Sequence, residues 1–335
     1  MLGMILQNLI PILVVVALIV AIVRAGRQPL WAEAYRRLRH NSLALAAMVV
    51  IACYGTVAVL DSIGWQNGRN EPYLTIIDRV FQHPKERTYS APLATMTTEI
   101  LRPHKLKEKH LLGTDGVGND VFYMTLKGCR TALLLGGLTS LVVTPLALLF
   151  GMAAGYFGKR VDDAIQYLYT VLDSIPFILL LIAMMMVLGR GIVQMCIALG
   201  VTSWVSLCRL SRGETLKHRD REYVRAARAL GASHGRILVR HILPNLMPIV
   251  IISVTLGISG LVLSEAILSY LQLGVQAGVG SWGNMIDAAR MELAREPVIW
   301  WNLISASGAL FILVLAFNIL GDALRDAIDP RLRSS

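Results

Sequence analysis

The stretch Glu222-Tyr-Val-Arg-Ala-Ala-Arg-Ala-Leu-Gly231, which runs on to Arg240-His-Ile-Leu-Pro-Asn245, separates two long apolar runs. Nine Lys and Arg residues but only three Asp and Glu residues lie between Arg209 and His241. Positive charges that directly adjoin apolar segments are typical of loops on the cytoplasmic side of a membrane. The stretch therefore predicts a contact surface at the cytoplasmic face of a membrane protein.

Helical spacing gives the first half of this stretch a face of small side chains. Ala226 and Ala227 fall beside Tyr223 and Leu230 at separations of three and four residues. Small side chains would let a partner approach the backbone closely, and arginines on both sides would add charged contacts. The predicted contact residues of this helix are Glu222, Tyr223, Arg225, Ala226, Ala227, Arg228 and Leu230.

Glycine and proline delimit the second half of the stretch. Gly231 is expected to end the first helix in a left-handed conformation. A second short helix is then predicted from Ser233, as its N-cap, to Leu243. Pro244 is expected to stop this helix before the next apolar run begins. The stretch thus predicts a helix, a glycine hinge and a second helix, with Gly231, Leu243 and Pro244 added to the contact residues.

The composition of the whole chain indicates a membrane protein. Of the 335 residues, 55% are hydrophobic and only 16% are charged, whereas a soluble domain carries about 25% charged residues. The mean hydropathy is +0.58. The net charge of +10 lies beside apolar segments, so it indicates cytoplasmic loops and argues against nucleic-acid binding.

A helix needs roughly 20 apolar residues to cross a bilayer. Apolar runs near this length predict an all-α membrane protein with about seven spans. The predicted spans are Met4–Val23, Leu43–Leu60, Thr131–Ala154, Ala164–Leu188, Gly191–Cys208, Leu246–Leu263 and Val298–Leu320. The first is expected to be a retained helix with its N-terminus outside, because its positive charges follow the apolar run instead of preceding it. A targeting segment is the alternative.

The segments between the spans predict the topology. Arg24–Asn41, Gly158–Asp163, Arg209–Asn245 and the C-terminal tail place Lys or Arg against a span, which predicts a cytoplasmic location. An amphipathic surface helix is expected at Trp31–Asn41. The insert Ser62–Gly128 and the loop Gln272–Pro297 then lie outside. These assignments divide the chain into residues 1–41, 42–61, 62–128 and 129–335, with a cytoplasmic loop at 209–245.

Several enzyme chemistries are absent from the sequence. No GxxxxGK[ST] motif is present, so the chain is not expected to hydrolyse ATP, and no HExxH motif indicates a metalloprotease. All seven His residues lie outside the spans, which leaves Gly257-Ile-Ser-Gly260 without the base that a serine protease needs. The turn-rich segment His110–Asp120 lacks the ligand pattern of a calcium loop. No catalytic residue and no metal site are predicted.

Asp173 is the acidic residue deepest in a predicted span, and such residues are functional candidates by default. It could serve a proton relay or contact a substrate amine. Equally, Asp173-Ser-Ile-Pro176 could mark a broken helix end that lines a cavity, or Asp173 could pair with Arg190 or Lys159.

The stretch at 222–245 resembles the "EAA" loop of ABC-importer permeases, whose pattern is E-A-A-x3-G-x9-I-x-L-P. Ala226, Ala227, Gly231, Leu243 and Pro244 match this pattern, whereas Arg225 replaces its Glu and His241 its Ile. The peptide branch of this family, the dipeptide and oligopeptide "C" subunits, is similar over roughly residues 36–333. Its further matches are Leu112-Gly-Thr-Asp-x-x-Gly-Asn-Asp120, Leu268-Ser-Tyr-Leu-Gln-Leu-Gly274, Ser281-Trp-Gly-Asn-Met285 and Leu315-Ala-Phe-Asn-Ile-Leu-Gly-Asp322 with its continuation to Leu332.

The resemblance implies a six-helix type I ABC-importer permease core, to which Met4–Val23 adds one helix and residues 62–128 a long extracytoplasmic insert. It implies a multi-pass protein of the bacterial inner membrane that binds no cofactor, while partner ATPases use ATP and Mg²⁺. The implied partners are a second homologous permease subunit in a heterodimer, two cytoplasmic ATPases and an extracytoplasmic binding protein. Peptide is the implied substrate, although nickel and other small solutes use similar permeases.

Two other functions remain open from the residues alone. A proton-coupled secondary transporter would use Asp173 and Glu265 as proton sites. A membrane enzyme or assembly scaffold would be built on the outer insert, and its activity would survive mutation of the loop at 209–245.

Overall fold

The computed structural model describes residues 29–66, 73–99, 103–276 and 278–328, and helices account for most of them. The predicted first span Met4–Val23 lies outside the described residues. In chain order the elements are α1 (Pro29–His40), α2 (Ser42–Leu60), β1 (Gly64–Trp65), β2 (Leu74–Thr75), α3 (Ile76–Phe81), α4 (Val121–Phe157), α5 (Lys159–Asp173), α6 (Phe177–Leu188), α7 (Ile192–Thr202), α8 (Trp204–Arg219), α9 (Glu222–Ala229), α10 (His234–Ile237), a π-turn (Leu238–Ile242), α11 (Leu243–Tyr270), α12 (Trp282–Glu292) and α13 (Trp301–Ile328).

Six of the predicted spans fall within the described residues, and each has a helical counterpart. Five helical stretches are long and apolar enough to cross a membrane, namely Ser42–Leu60, Val121–Phe157, Ile192–Arg219, His234–Tyr270 and Trp301–Ile328. The pair α5 and α6 forms a sixth if the two helices are one broken span. The prediction of an all-α membrane protein is therefore confirmed.

The predicted span Ala164–Leu188 is broken in the structure, in agreement with the alternative that Asp173-Ser-Ile-Pro176 marks a helix end. The chain turns by 83° between α5 and α6, at the sequence Ser174-Ile-Pro176. Proline lacks a backbone N–H and disfavours helical conformation in the residue before it. The helix therefore ends at Asp173, and Pro176 is the residue that caps the start of α6.

Helix α4 is longer than the predicted span Thr131–Ala154. It begins at Val121, where Asp120 accepts a hydrogen bond from the Tyr123 amide, and its 37 residues correspond to about 55 Å. The segment Val121–Gly128, which sequence reasoning assigned to the insert, is thus part of the helical core. Pro145 lies inside this helix.

The insert is tied to the helical core by a buried ionic cluster. The Lys127 ammonium on α4 contacts Asp61, at the end of α2, at 2.9 Å and Asp78, on α3, at 2.5 Å. The Tyr123 hydroxyl also donates to Asp78, at 2.6 Å. Burial would raise the pKa of Asp78, but the hydrogen bonds from Lys127 and Tyr123 hold that pKa below its usual value. These contacts join α2, α3 and α4. The antiparallel β1–β2 hairpin, in which Gly64 faces Thr75, is added through the Thr75 hydroxyl, which donates to Asp61 at 2.9 Å.

Both ends of the chain's described part pack together. Ala34 and Leu38 of α1 are buried against Ala323 and Ala327 of α13. The predicted amphipathic helix at Trp31–Asn41 is therefore confirmed as a helix, but its apolar face packs against α13. The predicted tail that follows Leu320 is helical as far as Ile328, where it continues α13.

The predicted outer loop Gln272–Pro297 contains a helix, α12. The Ser281 hydroxyl caps this helix by accepting from the Asn284 amide, and it also donates to the buried Glu265 carboxylate at 2.7 Å. The Trp282 indole donates to the Thr125 carbonyl on α4 at 2.9 Å. Helix α12 is consequently packed onto the ends of α4 and α11 and is an ordered part of the core.

Candidate coupling surface and solute cavity

Helix α9 occupies the centre of the stretch that the sequence singled out, and it ends as predicted. Gly231 has a φ of +77°, a left-handed conformation that favours glycine. The Gly231 amide donates to the Arg228 carbonyl and the Ala232 amide to the Ala227 carbonyl, both at 3.0 Å. These two bonds form the Schellman motif that satisfies carbonyls at a helix end.

The inner face of α9 is held by apolar burial. Val224 and Ala227 are buried in a cluster with Tyr156, at the end of α4, and with Ile237 and Ile242 of the following segment. The predicted contact residue Ala227 therefore faces the protein's own core and not an open surface. Its small side chain lets α9 lie close to the chain beneath it.

The outer face of α9 carries an apolar stripe. Tyr223 is 38% exposed, Leu230 is 88% exposed, and Ala226 between them is also exposed. Three charged side chains of the same helix, Glu222, Arg225 and Arg228, are exposed as well. A contiguous exposed stripe that includes a tyrosine and lies beside arginines is of the kind found where another protein covers the surface.

Hydrogen bonds and ring contacts position this outer face. The Tyr223 hydroxyl pairs with the His218 Nδ1 atom of α8 at 2.8 Å. The Arg228 guanidinium lies 5.7 Å from the centre of the Tyr156 ring, within the range of a cation–π contact. Tyr156 in turn pairs through its hydroxyl with the His234 Nδ1 atom at 2.9 Å. Helix α9 is thus connected to α4, α8 and α10.

The second predicted helix is not a separate element. Residues His234 to Tyr270 form one helical stretch of 37 residues, in which Leu238–Ile242 is a π-turn. Pro244 does not stop it, because the Leu243 amide reaches back five residues to the Leu238 carbonyl and the wider turn leaves room for the proline ring. Ser233 precedes the helix, but its side chain makes no capping bond. The basic arm after Gly231 is therefore continuous with a span.

Asp173 lies at the bend between α5 and α6, and its partner is one that the sequence did not indicate. Its carboxylate accepts from the Arg209 guanidinium of α8 at 2.7 Å, not from Arg190 or Lys159. Arg209 also lies over the Tyr169 ring, 4.8 Å from its centre. The expectation that this segment is a broken helix end that lines a cavity is confirmed.

That cavity has a volume of about 480 Å³ and lies between α4, α8, α11 and the bend. Its walls contain hydroxyl groups, small residues and a few aliphatic side chains. The lining residues are Ser140, Val143, Thr144, Asp173, Phe177, Thr202, Ser203, Val205, Ser206, Leu207, Leu210, Ser253, Val254, Gly257, Gly260, Leu261 and Ser264.

Glu265, the other residue considered for proton transport, has a local structural role. It is 1% exposed and accepts hydrogen bonds from the hydroxyls of Ser269 and Ser281, at 2.8 and 2.7 Å. These bonds fasten α11 to the start of α12. Sequence reasoning missed this clamp, although serines spaced around a buried acid are the signal that could have indicated it.

The turn-rich segment before α4 uses its carboxylates internally. Asp115 accepts from the Val117 and Asn119 amides at 2.9 and 2.8 Å, and Asp120 caps α4. Buried His110 lies between Asp120 and Glu86, with its Nδ1 atom 2.7 Å from the Asp120 carboxylate. In the described part of the chain, no group of three or more His, Cys, Asp or Glu residues is arranged to hold a metal ion.

Comparisons with known proteins agree with this architecture. Residues 147–334 match the family described as "Binding-protein-dependent transport system inner membrane component". The oligopeptide transport system permease protein OppC of Bacillus subtilis is 32% identical over 305 residues, which cover 91% of this chain and 90% of that protein. The dipeptide transport system permease protein DppC of the same organism is 33% identical over 301 residues, covering 90% and 86%.

A solved structure supports the fold. A chain of the MetNI methionine ABC transporter, in an inward-facing conformation, superposes with a TM-score of 0.50 and 19% identity. The match covers 62% of this chain and 97% of that chain. At this identity the likeness concerns the fold alone. It agrees with the type I permease architecture that the sequence resemblance implies.

Proposed function

The chain belongs to the family of binding-protein-dependent transport system inner membrane components, and we propose that it is the permease subunit of an ATP-driven peptide importer. It is a multi-pass protein of the bacterial inner membrane, and its family carries no ATPase site of its own. Peptide as the substrate is supported by relatives named as oligopeptide and dipeptide permeases, which match about 90% of the chain. The alternative of a proton-coupled transporter is not supported by the family, and Asp173, its main proton site, is engaged by Arg209.

The observation that carries this proposal is the outer face of α9. It presents Tyr223, Ala226 and Leu230 to solvent on a short helix whose inner face is packed on the protein's own core. We infer that this stripe seats on a cytoplasmic ATPase, with Arg225 and Arg228 at its edge. Two such ATPases would use ATP and Mg²⁺ and would serve this chain and a second, homologous permease subunit.

The geometry provides a route for the movement. When the ATPases close, they would displace α9 and, through the Gly231 turn, the basic arm at residues 234–242. Because this arm continues into α11 without a break, its displacement moves a membrane span directly. Leu243 and Pro244 lie at the π-turn junction, and Gly231 defines the other end of the lever. A flexible connection would lose the displacement that a continuous helix transmits.

The remaining parts of the chain fit the same assembly. Residues 62–128 would face the outside, where an extracytoplasmic binding protein delivers the peptide. Residues 129–335 would form the permease core, and Asp173 would lie along the substrate path. Residues 1–41 would add a helix and a cytoplasmic segment to that core.

The proposal is tested by accessibility of single cysteines in a variant that lacks the four native ones. Ala226→Cys places a thiol on the outer face of α9, and Ala227→Cys is its matched control because Ala227 is buried within the chain. A maleimide should label Ala226→Cys in the permease alone and much less in complexes that contain the ATPases. Ala227→Cys should label poorly in both. Equal labelling of Ala226→Cys with and without ATPases would refute the docking surface.

A further inference from the structure

We propose that the cavity between α4, α8, α11 and the α5–α6 bend holds the peptide during transport, with Asp173 binding its ammonium terminus and Arg209 its carboxylate terminus. This inference rests on the proposed peptide import and adds a binding site within the permease. A zwitterionic peptide offers one charge to each member of the ion pair. The pair would therefore open around the substrate and close again when the substrate leaves.

The position of the cavity suits a transported solute. Its walls include Ser140 and Thr144 of α4 and Gly257 and Gly260 of α11, which lie near the middle of the apolar parts of these helices. Gly257, Gly260 and Ser206 are exposed, so the cavity opens at the surface of this chain. A volume of about 480 Å³ falls within the range of small-molecule sites, about 300–1,000 Å³.

The lining is polar in a way that suits peptide bonds. Hydroxyls from three helices face it, among them Ser140, Thr144, Ser203, Ser206 and Ser253. A hydroxyl both donates and accepts, so it can pair with either the N–H or the C=O of an amide. The Ser203 hydroxyl is buried and has no hydrogen-bond partner in the protein, whereas buried polar groups are almost always paired. A ligand amide would supply that partner.

The ion pair at the cavity, Asp173 with Arg209, is more open than a second ion pair that joins the same two helices. Asp162 and Arg212 also join α5 to α8, with two bonds of 2.5 and 2.7 Å and side chains only 14% and 25% exposed. Asp173 and Arg209 make one bond, and their side chains are 52% and 46% exposed. A pair held by one bond has fewer contacts to break than a pair held by two, so it can exchange its partner for a ligand more readily. The Asp162–Arg212 pair holds the helices together, and the Asp173–Arg209 pair is available to a ligand.

The test combines protein variants with peptides that lack one terminal charge. The complete importer in proteoliposomes is supplied with binding protein saturated with trialanine, N-acetyl-trialanine or trialanine amide, and uptake rates are compared. Acetylation should slow wild-type uptake about tenfold, as expected for the loss of a hydrogen bond to a charged group. In Asp173→Asn, N-acetyl-trialanine should be taken up as fast as trialanine. In Arg209→Gln, trialanine amide should be taken up as fast as trialanine. Asp162→Asn, which loses an ion pair away from the cavity, should keep both penalties.

A steric variant gives an independent result. A side chain at Gly260 would meet no atom within 4 Å, so Gly260→Leu should fold, assemble and obstruct the cavity. Gly55→Leu makes the same change at an open position on α2, outside the cavity. Uptake by Gly260→Leu equal to that of Gly55→Leu, or an undiminished acetylation penalty in Asp173→Asn, would overturn the proposed site. A wild-type complex without any peptide uptake would instead refute peptide import itself.

Discussion

Replacing Gly231 by valine should uncouple ATP hydrolysis from transport. A side chain here would meet no atom within 4 Å, so the cost comes from the backbone alone. The φ of +77° costs an L-residue about 1–2 kcal/mol, and a β-branched residue is a stronger outlier there. A penalty of about 2 kcal/mol lowers the population of the native turn about 30-fold. Helix α9 itself is still held by Val224 and Ala227, which are buried against the protein's own core, so the variant loses the rigid turn and keeps the docking helix.

The measurement is the number of ATP molecules hydrolysed per peptide taken up in proteoliposomes that contain the complete importer. We expect Gly231→Val to keep its expression level and ATPase binding, and to consume several times more ATP per peptide. Gly231→Asn is the matched control, because asparagine tolerates the left-handed conformation, and it should stay close to the wild type. Normal stoichiometry and rate in Gly231→Val would refute the view that this turn transmits the movement.

Three further predictions concern other parts of the structure. Leu230→Asp should weaken binding of the ATPases in co-purification at high salt. The same change at the exposed Val239, which lies outside the apolar stripe of α9, should have a smaller effect. Equal losses of binding would argue against the stripe as the docking surface. Because the pKa of Asp78 is lowered in the folded state, its ion pair should stabilise the insert above the ordinary Asp pKa of about 3.9 and lose this contribution as the pH falls through the lowered value. Thermal unfolding of wild type and Asp78→Asn should therefore differ at pH 6, and the difference should shrink as the pH falls below about 3.9. A difference that is constant with pH would contradict this. Trp282→Ala should lower the free energy of unfolding by about 3–5 kcal/mol, because the buried indole packs in the core and donates to the Thr125 carbonyl. A loss below about 1 kcal/mol in chemical denaturation would contradict a core role for this indole.

Local patterns predicted those features that depend on neighbouring residues. The glycine after Leu230 predicted a left-handed helix end, and the φ of Gly231 confirms it. Apolar runs predicted the positions of six helices within the described residues, because the length of a span is set by the bilayer and not by its neighbours. Their ends were less well predicted, since α4 begins ten residues before the apolar run, at a cap provided by Asp120.

Pairings between distant residues could not be read from the sequence. One alternative for Asp173 was a pair with Arg190 or Lys159, which are close along the chain or the span, but an 83° bend turns it towards Arg209 on α8. In the same way Ala227, which a helical wheel places beside Ala226, is covered by Tyr156 and Ile242. The partner of a polar or small side chain depends on how helices pack, and the period of one helix does not contain that information.

The sequence by itself determined that this is a mainly helical membrane protein with a basic loop of the importer-permease type. Composition, charge next to spans and a short motif are sufficient for that conclusion, because each acts within one segment. Only the tertiary structure decided that the loop's second arm is continuous with α11, that one alanine of its motif faces inwards, and that Asp173 borders a hydroxyl-lined cavity. Each of these depends on contacts between segments that are far apart in the chain, where the free energy of packing overrides the preference of any single stretch.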